Sequence, residues 1–309
     1  MASLRGLSLR DLEYTQTIAN EGHFGRAAAL CGVSQPAISS QIQKLEARIG
    51  FPIFERQGKS ISVTENGRIF LAKAETILNE ARELLELSSS LTSPMEGELR
   101  LGVIPTLGPY LLPLVLKSIK NAYPKLHLSL IEEPTSVLEQ MLTDRKLDIM
   151  VLATEPNSSN CGMVELFFEP YFFASPSTEG LEQGAPVSWS KIKNTKLVLL
   201  TEEHCMRSQT IALCHLIDDP GQRMASSLEM LRQMVALGDG AALLPALSVN
   251  GPDLFGGLVT THPISDGKFG RTISLQFRNS DPRANHLKRF GEFLAAQMDA
   301  PAMQKHLNL

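Results

Sequence analysis

Apolar residues recur at helical spacing through the first ninety positions. Leu9, Leu12, Ile18 and Ala19 share one face of residues 8–19, and Ser8 stands where an N-cap belongs, so an amphipathic helix is predicted there. The alanine-rich stretch from Phe24 to Leu30 predicts a short second helix, and Cys31-Gly32-Val33 a turn. Ser34 then caps a third helix, with Pro36 at an early position where a missing N–H costs nothing. Ile38, Ile42 and Leu45 form its buried stripe, which leaves Ser39, Ser40, Gln43 and Lys44 outside. From Asn66 to Leu91 the apolar positions Phe70, Ala74, Ile77, Ala81, Leu84, Ser88 and Leu91 alternate steps of four and three. That is a coiled-coil seam, and so narrow a stripe calls for a partner helix. Ser88-Ser89-Ser90 to Ser93-Pro94 reads as a hinge.

Beyond Gly97 the period changes. Strands are expected at residues 99–104, 126–132 and 147–152, with helices at 111–122 and 136–144 between them. The alternation resumes with strands at 196–200, 241–245 and 272–277, a helix at 228–237 and a last helix near 285–298. Strands alternating with helices predict an α/β sheet of parallel strands, here in two lobes of about a hundred residues each. Ligands in such folds sit at the carboxyl ends of strands, which places Thr106, Thr135 and the turn at 201–208 near one another.

A chain of 309 residues exceeds one ordinary core, so two or three compact units are expected. No apolar run approaches ~18 residues, which argues against a membrane span, and the first residues lack the apolar core of a secretory signal. A cytoplasmic address is the expectation. The net charge of −4 argues against nucleic-acid binding along the whole chain. Residues 1–70, however, hold eight Lys and Arg against six Asp and Glu, so the basic surplus sits where a DNA contact would be sought. The cysteines at 31, 161, 205 and 214 fit neither a secreted disulfide framework nor zinc spacing, and no cofactor or metal is expected.

The densest chemistry lies at Thr201-Glu202-Glu203-His204-Cys205-Met206-Arg207-Ser208, running on to Cys214-His215. A thiolate is the nucleophile that attacks peroxides, and a nearby cation favours it. His204 and Arg207 are suitable neighbours for Cys205, with Cys214 able to capture an oxidised Cys205 as a disulfide. On a continuous helix, nine residues would separate the two Cα atoms by ~13 Å on opposite faces, beyond the ~7 Å a disulfide spans. Oxidation would then have to refold the segment. The other reading is two small buried hydrophobes, the commoner fate of free cysteine. Cys31 and Cys161, the latter in an Asn- and Ser-rich loop, are read as passengers, and Thr106 and Thr135 as possible helix caps.

The two short helices with a glycine turn form a helix-turn-helix. The whole stretch FGRAAALCGVSQPAISSQIQKLEARIGFPIFERQGKSISVTENGRIFL resembles the DNA-binding domain of the LysR-type transcriptional regulators. That resemblance implies a winged helix-turn-helix over residues 1–65, its wing formed by Phe54-Glu55-Arg56 through Thr64. It further implies a dimerising linker helix over 66–93 and a two-lobed, periplasmic-binding-protein-like α/β effector domain over 94–309. Lobe I would comprise about 97–168 and 272–309, and lobe II about 169–271. Ser34, Gln35, Pro36, Ser39 and Gln43 would face the major groove of double-stranded DNA, with Arg26, Lys44 and Arg56 on phosphates.

Gly102 to Pro113, His204-Cys205-Met206-Arg207 with Cys214, and Ser227 to Leu247 further resemble those family members that sense hydrogen peroxide. This likeness implies a peroxidatic Cys205 and a resolving Cys214. Thr106 and Thr135 would hold the peroxide, with His204, Arg207 and Arg271 beside it. Ser208 stands where those members carry an aspartate. A non-enzymatic regulator is therefore expected, a homodimer or homotetramer acting through RNA polymerase. The alternatives are a LysR-type regulator with a small organic effector between its lobes and a catalytic thiol peroxidase, against which the DNA-binding segment speaks.

Overall fold

Capping decides where the first helices begin in the computed structural model, which describes residues 6–57, 60–92, 95–214, 223–249, 256–265 and 269–307. α1 (Leu9–Glu21) starts at Ser8, whose hydroxyl accepts from the Asp11 N–H while the Asp11 carboxylate accepts from Ser8. α2 spans Phe24–Leu30, and α3 spans Gln35–Ile49 behind the N-cap Ser34 and Pro36. Gly22 and Gly50, at φ 61° and 85°, end α1 and α3 in the left-handed conformation that glycine adopts without strain. The three helices enclose a core of Tyr14, Ile18, Ala27, Ala28, Ile38, Ile42, Leu45, Ile53 and Phe54. Asp11 accepts from Gln41 Nε2 at 2.6 Å, tying α1 to α3. Glu46 accepts the N–H groups of Ile53 and Phe54, tying α3 to the hairpin of β1 (Phe54–Gln57) and β2 (Ser60–Val63).

α4 (Glu65–Thr92) follows, and here the expected seam divides. Phe70, Ala74 and Leu78 pack with Leu12 of the same chain, whereas Ile77 and Leu84 are exposed together with Ile69 and Leu85. Phe70, Ala74 and Leu78 lie along one i, i+4 ridge of the helix, so the packed row reaches Leu78 rather than the heptad position Ile77. The side chains of Ser88 and Leu91 lie outside the described residues. The chain divides into two compact units, residues 1–89 and 90–309.

The second unit runs β3 (Gly97–Val103), α5 (Gly108–Ala122), β4 (Leu126–Glu132), α6 (Thr135–Thr143), β5 (Ile149–Leu152), β6 (Cys161–Pro176), α7 (Trp189–Lys193), β7 (Leu199–Leu200) and α8 (Cys205–Cys214). It continues with β8 (Met224–Ala225), α9 (Leu228–Ala236), β9 (Ala242–Pro245), α10 (Ala246–Val249), β10 (Val259–Pro263), β11 (Gly270–Arg278), α11 (Ala284–Met298) and α12 (Pro301–Leu307). The order is β10–β6–β11–β5–β3–β4, with β9 also on β6. β3 is parallel to β4 and β5, but β11 runs antiparallel to β5 and β6, so the expectation of a wholly parallel sheet is corrected.

The strand that changes the topology is β6, sixteen residues long. Its first part pairs with β11 from Cys161 to Pro170, and its last part pairs with β9 and β10. Cys161, expected in a loop, opens this strand. Two cores follow: lobe I gathers around Leu99, Leu101, Leu138, Ile149, Leu275 and Phe290, and lobe II around Phe173, Ile192, Leu197, Leu228 and Leu243.

At one end of lobe I, Asp148 accepts from Arg100 and Arg283, and Arg283 also reaches Asp281. Burial acts to raise the Asp148 carboxyl, yet the Arg100 hydrogen bond and the charges of Arg283 and Arg100 outweigh it and hold it below the usual value. A depressed folded-state pKa stabilises the fold above the unfolded value, near 4, and that contribution fades as pH falls through the folded value. Asp148→Asn should therefore flatten the acid limb of stability below about pH 4, and Asp148→Ala should cost about 3 kcal/mol in denaturant unfolding. An acid limb identical to the parent's would contradict this account.

Candidate thiol centre and nucleic-acid interface

α8 places the two thiols of interest at its opposite ends. Cys205 is its first residue, half-buried against the lobe I core, and Cys214 its last, buried in lobe II. Both are free. The helix is continuous, so nine residues of rise separate the two Cα atoms by ~13 Å and half a turn. Burial pushes the Cys214 thiol up to about 11, against a smaller opposing pull from Lys193. His204, next to Cys205, is buried, with Nε2 3.0 Å from the Ser226 carbonyl oxygen and 4.0 Å from the Glu203 carboxylate. Arg207 is also buried. It lies among Val198, Leu199, Met206 and Leu243 and donates to the Leu200 carbonyl.

Arg271 is the organising cation. Its Nε and Nη2 donate to Glu169 Oε2 at 2.8 Å, Nη1 donates to the Thr106 hydroxyl at 2.7 Å, and Nη2 to the Thr106 carbonyl at 2.9 Å. Arg271 and Glu169 face each other across β11 and β6, and both side chains are fully buried. Burial alone would lower the Arg271 pKa. The charge of Glu169, followed by those of Tyr171 and Cys205, overrides it and raises the value, which also places Cys205 within electrostatic reach of the guanidinium. Glu169 uses its other oxygen to accept the Leu247 N–H at 3.0 Å.

Because the Thr106 oxygen accepts from Arg271, its own hydroxyl proton is left to donate. Thr135, the first residue of α6 just beyond the neighbouring strand β4, has a buried hydroxyl with no protein partner. Neither threonine caps a helix: the N-caps of α5 and α6 are Leu107 and Pro134, with no side-chain cap, which corrects the capping reading. The chain thus brings Thr106 and Arg271 into direct contact and couples Cys205 electrostatically to Arg271, while His204 and Arg207 bind backbone carbonyls of lobe II. Sequence reasoning missed Glu169. Its signal is a lone carboxylate inside the aromatic run 167–173, since a charge there must be paired. His215 lies outside the described residues.

In the first unit, Ser34, Gln35 and Pro36 open α3 with exposed side chains, followed by half-exposed Ser39 and exposed Gln43 and Lys44. The Ser34 hydroxyl accepts from Ala37 N at 3.4 Å. Arg26 on α2 is exposed and paired with Glu21 at 3.1 Å. Arg56 lies in β1, and its side chain is outside the described residues. Among the described residues no helix is long and apolar enough to cross a membrane.

Each of the two units matches a known family of domains. Residues 9–68 match the bacterial regulatory helix-turn-helix protein, lysR family, and residues 92–299 match the LysR substrate binding domain, so the chain belongs to the LysR family of transcriptional regulators. It is 36% identical over 295 residues to the DNA-binding transcriptional dual regulator OxyR of Escherichia coli K12, covering 95% of this chain and 96% of that one. A probable hydrogen peroxide-inducible genes activator of Streptomyces viridosporus is 34% identical, over 95% and 94% of the two chains. Among solved structures it is similar to a full-length OxyR cysteine variant from Pseudomonas aeruginosa, with TM-score 0.70, 31% identity and coverage of 94% and 97%. A hydrogen-peroxide-bound OxyR variant from Corynebacterium glutamicum gives TM-score 0.65 at 27% identity, covering 97% and 94%.

A thiol with a raised folded-state pKa stabilises the fold below its unfolded value, near 9, and this contribution is lost as pH rises through about 11. Alkylation followed by peptide mass spectrometry should label Cys205 well before Cys214 at pH 8. The Cys214 rate should climb towards a midpoint near 11 in the native chain and near 9 in denaturant. Equal labelling of the two thiols at pH 8 would contradict the burial assigned to Cys214.

Proposed function

We propose that the chain is a DNA-binding transcriptional regulator that senses hydrogen peroxide through Cys205 and Cys214. The observation that carries this reading is the separation of the two free thiols. One is half-buried at the start of α8, against the lobe I core and electrostatically coupled to Arg271, and the other is sealed in the lobe II core at the far end. Names of relatives and neighbours support it, since several are hydrogen peroxide-inducible genes activators or OxyR.

In this reading the Cys205 thiolate attacks one peroxide oxygen. The S–O bond forms, the O–O bond breaks, and the departing hydroxide is protonated to water. Thr106, as a donor, and Thr135, with both hydroxyl roles open, hold the peroxide, while Arg271 stabilises the charge on the leaving oxygen. His204 and Arg207 fix the turn that presents Cys205. Cys214 then displaces hydroxide from the sulfenic sulfur to form the disulfide, and α8 refolds to permit it.

Residues 1–65 read DNA, 66–93 pair subunits and 94–309 sense the oxidant. Ser34, Gln35, Pro36, Ser39 and Gln43 face base edges, and Arg26, Lys44 and Arg56 neutralise phosphates. The protein works as a homodimer or homotetramer in the cytoplasm and acts through RNA polymerase. A second reading, a small organic effector between the lobes, is favoured by a cavity of about 350 Å³ lined by Ala153, Thr154, Gln209, Leu213, Arg271 and Thr272.

Cys205→Ser should abolish the transcriptional response to dilute peroxide and leave operator binding intact. A full response in that variant would point to the effector reading. Cys214→Ser should accumulate sulfenic or more oxidised Cys205, visible by mass spectrometry. Arg26→Ala should weaken binding to all sequences and reduce the salt slope by about one, whereas Gln35→Ala should change base preference. An unaltered slope for Arg26→Ala would remove it from the phosphate contacts.

A further inference from the structure

Between the two thiols, one side chain leaves α8 to reach two neighbouring elements. Gln209 Nε2 donates to the Ala153 carbonyl just past β5, and Gln209 Oε1 accepts the Tyr171 hydroxyl from β6, each at 2.7 Å. Tyr171 is 2% exposed, and burial pushes its phenol far above the usual value, so it remains a donor. α8 is also held by Met206 and Cys214 in the lobe II core, by Ile211 and Leu213 packed against that core, and by Arg207 on the Leu200 carbonyl. On the flank that carries Gln209, Ala212 and Leu213 also line the cavity of about 350 Å³. The two Gln209 hydrogen bonds tie this flank to β6 and to the chain just past β5.

We propose that Gln209 is a positioning residue, a latch that keeps α8 helical while Cys205 is unoxidised and whose release gates disulfide closure. This rests on the peroxide reading above. Closure is the attack of the Cys214 sulfur on the sulfenic sulfur of Cys205. The S–S bond forms, the S–O bond breaks, and hydroxide leaves to take up the thiol proton as water. Peroxide is the oxidant, and the two sulfurs supply its two electrons. The Cα atoms must approach from ~13 Å to within about 7 Å, so residues 206–213 leave the helix and Gln209 loses both partners. The latch thus sets how long the sulfenic acid persists.

The test uses the full chain with Gln209→Ala and, leaving α8 untouched, Tyr171→Phe. Alanine is a better helix former than glutamine, so any loosening reports the lost bonds rather than propensity. In the thiol form, amide hydrogen exchange over residues 206–214 should accelerate about tenfold in Gln209→Ala and about threefold in Tyr171→Phe. After peroxide, the lifetime of the Cys205 sulfenic acid, trapped with dimedone and read by mass spectrometry, should shorten by similar factors. Its rate of formation should stay within about twofold.

Unchanged exchange in Gln209→Ala overturns the latch. Faster exchange with an unchanged sulfenic lifetime overturns its gating role. If the parent chain forms no sulfenic acid at all, the peroxide reading fails, while the exchange measurement, made without oxidant, still decides whether Gln209 holds the helix.

Discussion

A continuous α-helix cannot bring its first and tenth residues together. That constraint governs the sensing half of this protein, because α8 begins at Cys205 and ends at Cys214. Helical geometry sets the sulfurs on opposite faces and in different cores, one against lobe I and the other within lobe II. The helix therefore holds the two free thiols apart. A bond between the two sulfurs would exchange a hydrogen-bonded helix for a loop.

Around this helix the rigid part is ionic. Glu169 and Arg271 form a pair that is fully buried, and such a pair is tolerable only when its remaining groups are satisfied. Here they are bound by Thr106 and the Leu247 N–H, so β6, β11, the turn after β3 and α10 meet in one network. The Arg271 guanidinium is consequently fixed in place by partners on all sides, a preorganised cation rather than a mobile one.

Much of this was legible in the sequence wherever a local rule has one outcome. Ser8 and Ser34 announced their helices, Ile38, Ile42 and Leu45 their buried stripe, and residues 126–132 a strand that forms over those same residues. Legibility failed where partners far along the chain decide. β6 carries no alternation because from Leu166 onward it is largely buried on both faces, contains Pro170 and follows a polar lead-in, so nothing local marks it as a strand. Glu169 acquires meaning only from Arg271, 102 residues away. Leu78 takes the place of Ile77 in the packed row of α4 because Leu12 meets the i, i+4 ridge through Ala74, a partner the heptad spacing does not reveal.

The shared strand β6 has a mechanical corollary. One unbroken ribbon of peptide belongs to both lobes, with β11 alongside it and a register irregularity between Ile273 and Ser274. The same strand hydrogen-bonds to β11 at one end and to β9 and β10 at the other. The two lobes are therefore joined here by ladder rather than by loop, and neither can shift along β6 without breaking backbone pairs.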